Sequence, residues 1–150
     1  MHQFDNIIPN DLTIARSGVL DAFAELEYEV AEAVKALGGD TGHEGAPLGQ
    51  KLDKLAGLKA GPMLSKENSK IITEAAKRGL TLCEIRNDVV HSKLRFVSGH
   101  PEIAIYINAR IINQPYPTAR VMTVTQHQTL AREITVIAEC INAWRCKQKK

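Results

Sequence analysis

The chain has 150 residues, of which 44% are hydrophobic and 24% charged, and this composition argues against a disordered chain, a collagen-like fibre and a disulfide scaffold. No apolar run approaches the roughly 20 residues of a membrane span, and the first residues have neither the basic nor the apolar region of a signal peptide. Three cysteines without CxxC spacing indicate reduced thiols, so we expect a cytoplasmic protein with one domain over residues 1–150.

Charge is distributed unevenly along the chain. Residues 1–65 carry ten acidic and five basic side chains, whereas residues 66–150 carry seven acidic and fourteen basic ones. A basic second part is compatible with an anionic partner. Attraction between the two parts within the fold explains the same asymmetry.

The first long helix is predicted over about 11–37, where apolar residues recur at three- and four-residue spacing. Asn10 is its expected N-cap, and Gly38 follows its expected end. Arg16 falls within the apolar stripe, so we expect it to pair or to extend to solvent. The predicted outer face is acidic and consists of Asp21, Glu25, Glu29 and Glu32.

A glycine-rich loop over 38–50 separates this helix from a short one at about 48–58. Ser65 is the expected N-cap of a second long helix, about 66–90. That helix has one buried and one solvated face. The predicted buried rows are Ile72, Ala76, Gly79, Cys83 and Val90, with Ile71, Ala75, Leu82, Ile85 and Val89 beside them.

The period changes to two residues after Leu94, which predicts strands. Ile103, Ile105, Ile107 and Ile111 are the predicted buried side, alternating with Tyr106, Asn108 and Arg110. A turn over 113–117 leads to a return strand over 120–125, and 95–98 adds a third strand. Thr125 and Gln128 match a capping box for a last helix that ends near Trp144, followed by a solvated basic tail.

These elements predict a mostly α fold: an antiparallel helical bundle with a small β-hairpin or sheet inserted at about 95–125, before the last helix. The apolar rows of the second long helix, and Val136, Cys140 and Ala143 on the last one, form more apolar surface than the helices of one chain cover. We therefore expect a homodimer.

Metal and cofactor chemistry has no support in the sequence. The five histidines show neither HxxxH nor HExxH spacing, and no Cys–His cluster occurs. The glycines of 38–49 lack the order of a phosphate-binding loop. We expect no metal site and no cofactor.

The most informative segment is 82–94, at the end of the second long helix. Arg86 occupies the apolar side of this helix, where a guanidinium requires a partner or a cleft. His91 follows about 7.5 Å further along the axis. A helix end near Val90 would allow His91 to turn toward Arg86.

The stretch Arg86-Asn87-Asp88-Val89-Val90-His91 resembles the signature of the HEPN family (higher eukaryotes and prokaryotes nucleotide-binding domains), in which an arginine and a polar residue precede a histidine near a helix end. The resemblance implies a small dimeric bundle and a metal-independent endoribonuclease of toxin or phage-defence type, with an antitoxin protein as a partner. It makes Arg86 and His91 the catalytic pair and Asn87 a supporting residue. The neighbouring cations Lys93 and Arg95 are the expected RNA-binding residues.

Other interpretations remain open at this point. Arg86 would pair with Glu25 or Glu29 of the first helix if the motif has no catalytic task. The chain would then be a non-catalytic interaction or regulatory module, or a small-molecule-binding helical protein with the hairpin as a lid. Tyr106 and Tyr116 would either stack on bases or pack within the fold.

Overall fold

The computed structural model describes residues 7–38, 45–61, 64–108 and 119–148. These residues form four helices and a three-stranded sheet, in the order α1 (Asn10–Ala36), α2 (Leu48–Ala56), α3 (Lys66–His91), β1 (Lys93–Val97), β2 (His100–Ile107), β3 (Ala119–Thr123) and α4 (Val124–Gln148). The prediction of a mostly helical chain with a small antiparallel sheet before the last helix is confirmed. The turn predicted at 113–117, with Arg110, Ile111 and Tyr116, lies outside the described residues.

The starts of α1 and α3 are fixed in different ways. The hydroxyl of Ser65 accepts a hydrogen bond from the Asn68 amide at 3.1 Å, so the predicted cap of α3 is confirmed. Asn10 is already helical and caps nothing. Pro9 precedes the helix, and its carbonyl accepts from the amides of Leu12 and Thr13. The backbone carbonyl of Pro9, and not the side chain of Asn10, therefore accepts the hydrogen bonds at the start of α1.

The capping box of α4 lies two residues earlier than predicted. The Thr123 amide donates to Oε1 of Gln126 at 2.8 Å, and the Gln126 amide donates to Oγ1 of Thr123 at 3.1 Å. Thr125 is already inside the helix, so its predicted capping role is wrong. Because Thr123 is the last residue of β3, the strand passes into the helix without a loop.

The sheet has the order β1-β2-β3 with antiparallel neighbours, and Tyr106 of β2 lies between Leu94 of β1 and Arg120 of β3. Ala104 and Tyr106 are fully buried, whereas Ile107 is 41% exposed. The predicted strand is confirmed but its predicted buried side is wrong. Ile103, Ile105 and Ile107 lie on the outer face, where Ile103 and Ile105 are half-buried, and Ala104 and Tyr106 face the core. Ile111 lies outside the described residues.

One hydrophobic cluster contains residues from all seven elements. Helix α1 packs along α4, and α2 packs against α3. On α4, the predicted buried face is confirmed: Leu130, Ile134, Ile137, Ile141 and Trp144 are all buried. No helix within the described residues is long and apolar enough to cross a membrane.

Glu29 is buried between α1 and α4, so its predicted place on the outer acidic face is wrong. Its Oε2 accepts hydrogen bonds from Nε and Nη2 of Arg145 at 3.2 and 3.1 Å. Arg145 is not part of a solvated tail, since its side chain is only 12% exposed. A carboxylate in the core is tolerated because the guanidinium neutralises it.

Candidate functional site

The end of α3 is held in place by a side chain from α1. Nη2 of Arg16 donates to the carbonyl oxygens of Val89 and Ser92, at 2.9 and 3.3 Å. These carbonyls have no partner within the helix, so the guanidinium satisfies them. The two bonds lie on either side of His91 in the sequence and fix the backbone that carries it.

His91 is the last residue of α3, and its side chain is exposed. The carbonyl end of a helix carries partial negative charge, which favours a positively charged group at this position.

Arg86 points toward α1, where it forms an ion pair with Glu27. The sequence offered Glu25 or Glu29 as the partner of Arg86, and this expectation is wrong, because the partner is Glu27. Both side chains are partly exposed, at 24% for Arg86 and 39% for Glu27. Nε of Arg86 is buried without a hydrogen-bond partner in the described part of the chain.

Arg86 and His91 leave α3 on different sides. The helix continues through His91, so the five-residue spacing separates the two directions by about 140°. Within one chain the helix does not turn His91 toward Arg86. Asn87 is exposed and follows Arg86 toward the other side of the helix.

A polar cleft of about 510 Å³ lies between α3 and the sheet, at the edge where β2 ends and β3 begins. Its lining residues are Glu84, Asn87, Asp88, Asn108, Ala119, Arg120 and Val121. This volume is within the range of small-ligand sites. Asn87 is the one residue of the predicted site that lines it.

Asp88 binds two other residues that line this cleft. Its Oδ2 accepts from Nε of Arg120 at 2.7 Å, and its Oδ1 accepts from Nδ2 of Asn108 at 3.3 Å. The Asp88 side chain is only 16% exposed. The sequence contains no local signal for this cluster, because its members are 12 to 32 residues apart and meet only through the sheet.

Lys93 and Arg95 are exposed on the edge strand β1, two residues apart and therefore on the same face. They pair with Ile107 and Ile105 of β2. With His91 they form a strip, His91–Lys93–Arg95, that runs from the end of α3 along the sheet edge. We call it the basic strip.

The interior contains a hydrogen-bonded tyrosine and histidine that sequence reasoning missed. Oη of Tyr106 lies 2.6 Å from Nε2 of His127, and Nδ1 of His127 lies 2.6 Å from the Thr123 carbonyl oxygen. A carbonyl only accepts, so Nδ1 carries the proton and Nε2 accepts from the tyrosine hydroxyl. Tyr106 is 0% exposed and therefore packs within the fold rather than stacking on a base.

Burial lowers the pKa of His127 below its ordinary 6.5, and the nearby Arg16 cation acts in the same direction, against the hydrogen bond to Thr123. Burial also raises the pKa of Tyr106 to about 12. Both groups are therefore neutral in the folded protein near pH 7.

The described residues contain no group of three or more metal-ligating side chains. Comparisons with family models, with curated proteins and with solved structures gave no match.

Proposed function

We propose that this chain is a metal-independent endoribonuclease of the toxin or phage-defence type, in which His91 transfers protons and Arg86 binds the scissile phosphate. The observation that carries the proposal is the position of His91, an exposed imidazole at a braced helix end, with the cations of the basic strip beside it. Cations next to a proton-transfer group fit a polyanionic substrate.

The proposed reaction needs only groups that RNA and the protein supply. The ribose 2′-oxygen attacks the adjacent phosphorus while a base removes the 2′-hydroxyl proton, and the bond from phosphorus to the 5′-oxygen breaks as an acid protonates that oxygen. The products are a 2′,3′-cyclic phosphate and a 5′-hydroxyl. An imidazole serves as base or acid, and a guanidinium stabilises the charge on the phosphate oxygens.

In this proposal the active form is a homodimer. Arg86 and His91 of one chain point in directions about 140° apart, so one chain alone does not bring both to one phosphate. Two copies would supply two such pairs across a shared cleft, one histidine as base and the other as acid. Arg86 would exchange its contact with Glu27 for the phosphate, which the partial exposure of the pair favours.

The test measures RNA cleavage and melting temperature in EDTA for the unmodified chain and five variants. We expect His91→Ala to abolish cleavage with little change in melting temperature, and Arg86→Ala to abolish it with some loss of stability because Glu27 loses its partner. Asn87→Ala should be milder. Lys93→Ala and Arg95→Ala should weaken RNA binding in a salt-dependent way and preserve turnover.

His100→Ala is the matched control, since His100 is an exposed histidine on β2 outside the basic strip. It should cleave at the unmodified rate and yield the same cyclic phosphate ends. Cleavage by His91→Ala at the unmodified rate would end the nuclease proposal.

A non-catalytic interaction module, antitoxin-like or regulatory, is the second candidate. The ion pair between Arg86 and Glu27 favours it, because a guanidinium neutralised within its own chain has less charge for a phosphate. In that case Arg86→Ala lowers the melting temperature, His91→Ala changes nothing, and no variant affects RNA.

A further inference from the structure

The polar residues of α3 that line the cleft lie on one side of this helix. Glu84, Asp88 and His91 are four and then three residues apart, which places them on one side of the helix, and Asn87 lies next to them. The cleft therefore begins one helical turn from His91. Arg86 is on a different side of the helix and does not line it.

The cleft presents a carboxylate and a guanidinium that are both available to a ligand. Glu84 is exposed and makes no hydrogen bond or ion pair with any described residue. Arg120 uses Nε to bind Asp88, and its two terminal amino groups donate to no described residue. The Asp88 bond holds the guanidinium in a fixed plane, so these amino groups are oriented before a ligand arrives.

The rest of the lining suits a flat, partly apolar molecule. Ala119 and Val121 form an apolar wall on β3, and Val121 is 57% exposed. On the α3 side, the cleft is lined by the polar groups of Glu84 and Asn87. A nucleobase has this combination of an apolar face and polar edges.

We propose that this cleft is a guanine-binding site, in which Glu84 accepts from N1–H and the N2 amino group and Arg120 donates to O6 and N7. Guanine has a pair of donors on one edge and a pair of acceptors on another, matching a carboxylate and a guanidinium in one cleft. Adenine pairs N7 with a donor at N6, so it opposes one amino group of Arg120 with a second donor. The site rests on the proposed nuclease function and gives it a preference for phosphodiesters next to guanosine.

The test uses guanosine 3′-monophosphate and adenosine 3′-monophosphate as probes, titrated into the full chain by calorimetry. We expect guanosine 3′-monophosphate to bind about tenfold more tightly, the discrimination that one bidentate pair provides. Glu84→Gln should reduce this preference, because an amide presents a donor to N1–H or to the amino group while Arg120 still discriminates at O6 and N7. Glu74→Gln is the matched control, an exposed glutamate of α3 outside the cleft, and should keep it.

The outcomes distinguish failure of the guanine-site proposal from failure of the nuclease proposal. Equal affinity for the two probes, no binding of either, or a full preference in Glu84→Gln overturns the guanine site, even if the chain cleaves RNA. A selective site in a chain that cleaves no RNA supports the guanine site and overturns the nuclease. In an active chain, cleavage next to guanosine should fall in Glu84→Gln and not in Glu74→Gln.

Discussion

At the scale of single residues, the polar groups in the core are the least expected feature of the protein. His127 and Tyr106 are both 0% exposed and bind each other, and the carbonyl of Thr123 completes the imidazole's hydrogen bonds. Arg16 is close enough to lower the pKa of both. Such groups are tolerated in a core only when their hydrogen bonds are made.

We predict that the free energy of unfolding falls as the pH drops below about 6.5. The folded-state pKa of His127 is below its ordinary 6.5, so the unfolded chain binds the proton first and the histidine's contribution is complete only above that pH. The slope is at most about 1.4 kcal/mol per pH unit for this one group. Urea unfolding at a series of pH values measures it.

His127→Gln should flatten this slope, whereas His100→Gln, at an exposed position, should retain it. At the alkaline end the pKa of Tyr106 is raised to about 12, so its contribution is complete below pH 10 and is lost as the pH rises toward 12. An acid slope that persists in His127→Gln would assign it to another group.

Glu29 gives the second residue-scale prediction. Glu29→Gln removes the negative charge and leaves Arg145 buried without a counter-ion, which should cost about 3 kcal/mol of unfolding free energy. Glu25→Gln on the exposed face of α1 is the control and should change it by less than about 0.5 kcal/mol. Thermal unfolding of the two variants measures this difference in stability. Equal melting temperatures would show that the ion pair of Glu29 and Arg145 does not stabilise the fold.

At the scale of elements, the end of one element fixes the start of the next. The capping box of Thr123 and Gln126 joins β3 to α4, while Arg16 of α1 braces the end of α3 before β1 begins. The cleft is formed by α3 and β3, and His91 is at the end of α3 that Arg16 binds. The geometry of both therefore depends on contacts between elements and not on α3 alone.

We predict that Thr123→Ala destabilises the protein by about 1 kcal/mol, because the Gln126 amide loses its acceptor at the helix start. Thr125→Ala should have much less effect, since Thr125 is an exposed residue inside α4. Denaturant unfolding of both variants measures the difference. The reverse order would place the cap at Thr125, where the sequence pattern put it.

At the scale of the whole molecule, the charge asymmetry acts at least partly within the fold. Glu27 and Glu29 of the acidic first part pair with Arg86 and Arg145 of the basic second part. Lys93 and Arg95 remain exposed, so not all of the basic charge is used in this way. The distribution thus serves the tertiary structure and leaves the basic strip exposed.

We predict a homodimer that involves the side of the molecule formed by α3 and α4. Ile71 and Val136 are 38% and 45% exposed on these two helices. Sedimentation at high micromolar concentration should give a dimer, and Val136→Lys should give a monomer because a charge cannot be buried there without a partner. Ile14→Lys on α1 is the control and should remain dimeric.

A monomeric unmodified chain at that concentration would count against the dimer. It would also count against the two-pair mechanism, since one chain does not bring Arg86 and His91 together.

The sequence by itself determined the helices and the presence of the sheet. Apolar spacing predicted α1, α2 and α3 to within two residues, whereas α4 extends to Gln148, four residues beyond its predicted end near Trp144. The Ser65 cap needs only a residue three positions away. A two-residue period likewise predicted β2. Helices, caps and the two-residue period of a strand depend on residues that are close in sequence, so they can be predicted without the tertiary structure.

Only the tertiary structure decided which polar groups enter the core and which residues meet at the site. Tyr106, and not the neighbouring isoleucines, faces the core, where its hydroxyl binds His127, 21 residues away. Glu29 is buried because Arg145, 116 residues away, neutralises it. The motif predicted His91 and Asn87 as site residues, but Asp88 and Arg120 became a cleft only when the sheet folded against α3. Hydropathy along a chain cannot reveal such pairs, since the free energy of burying a polar group depends on a distant partner.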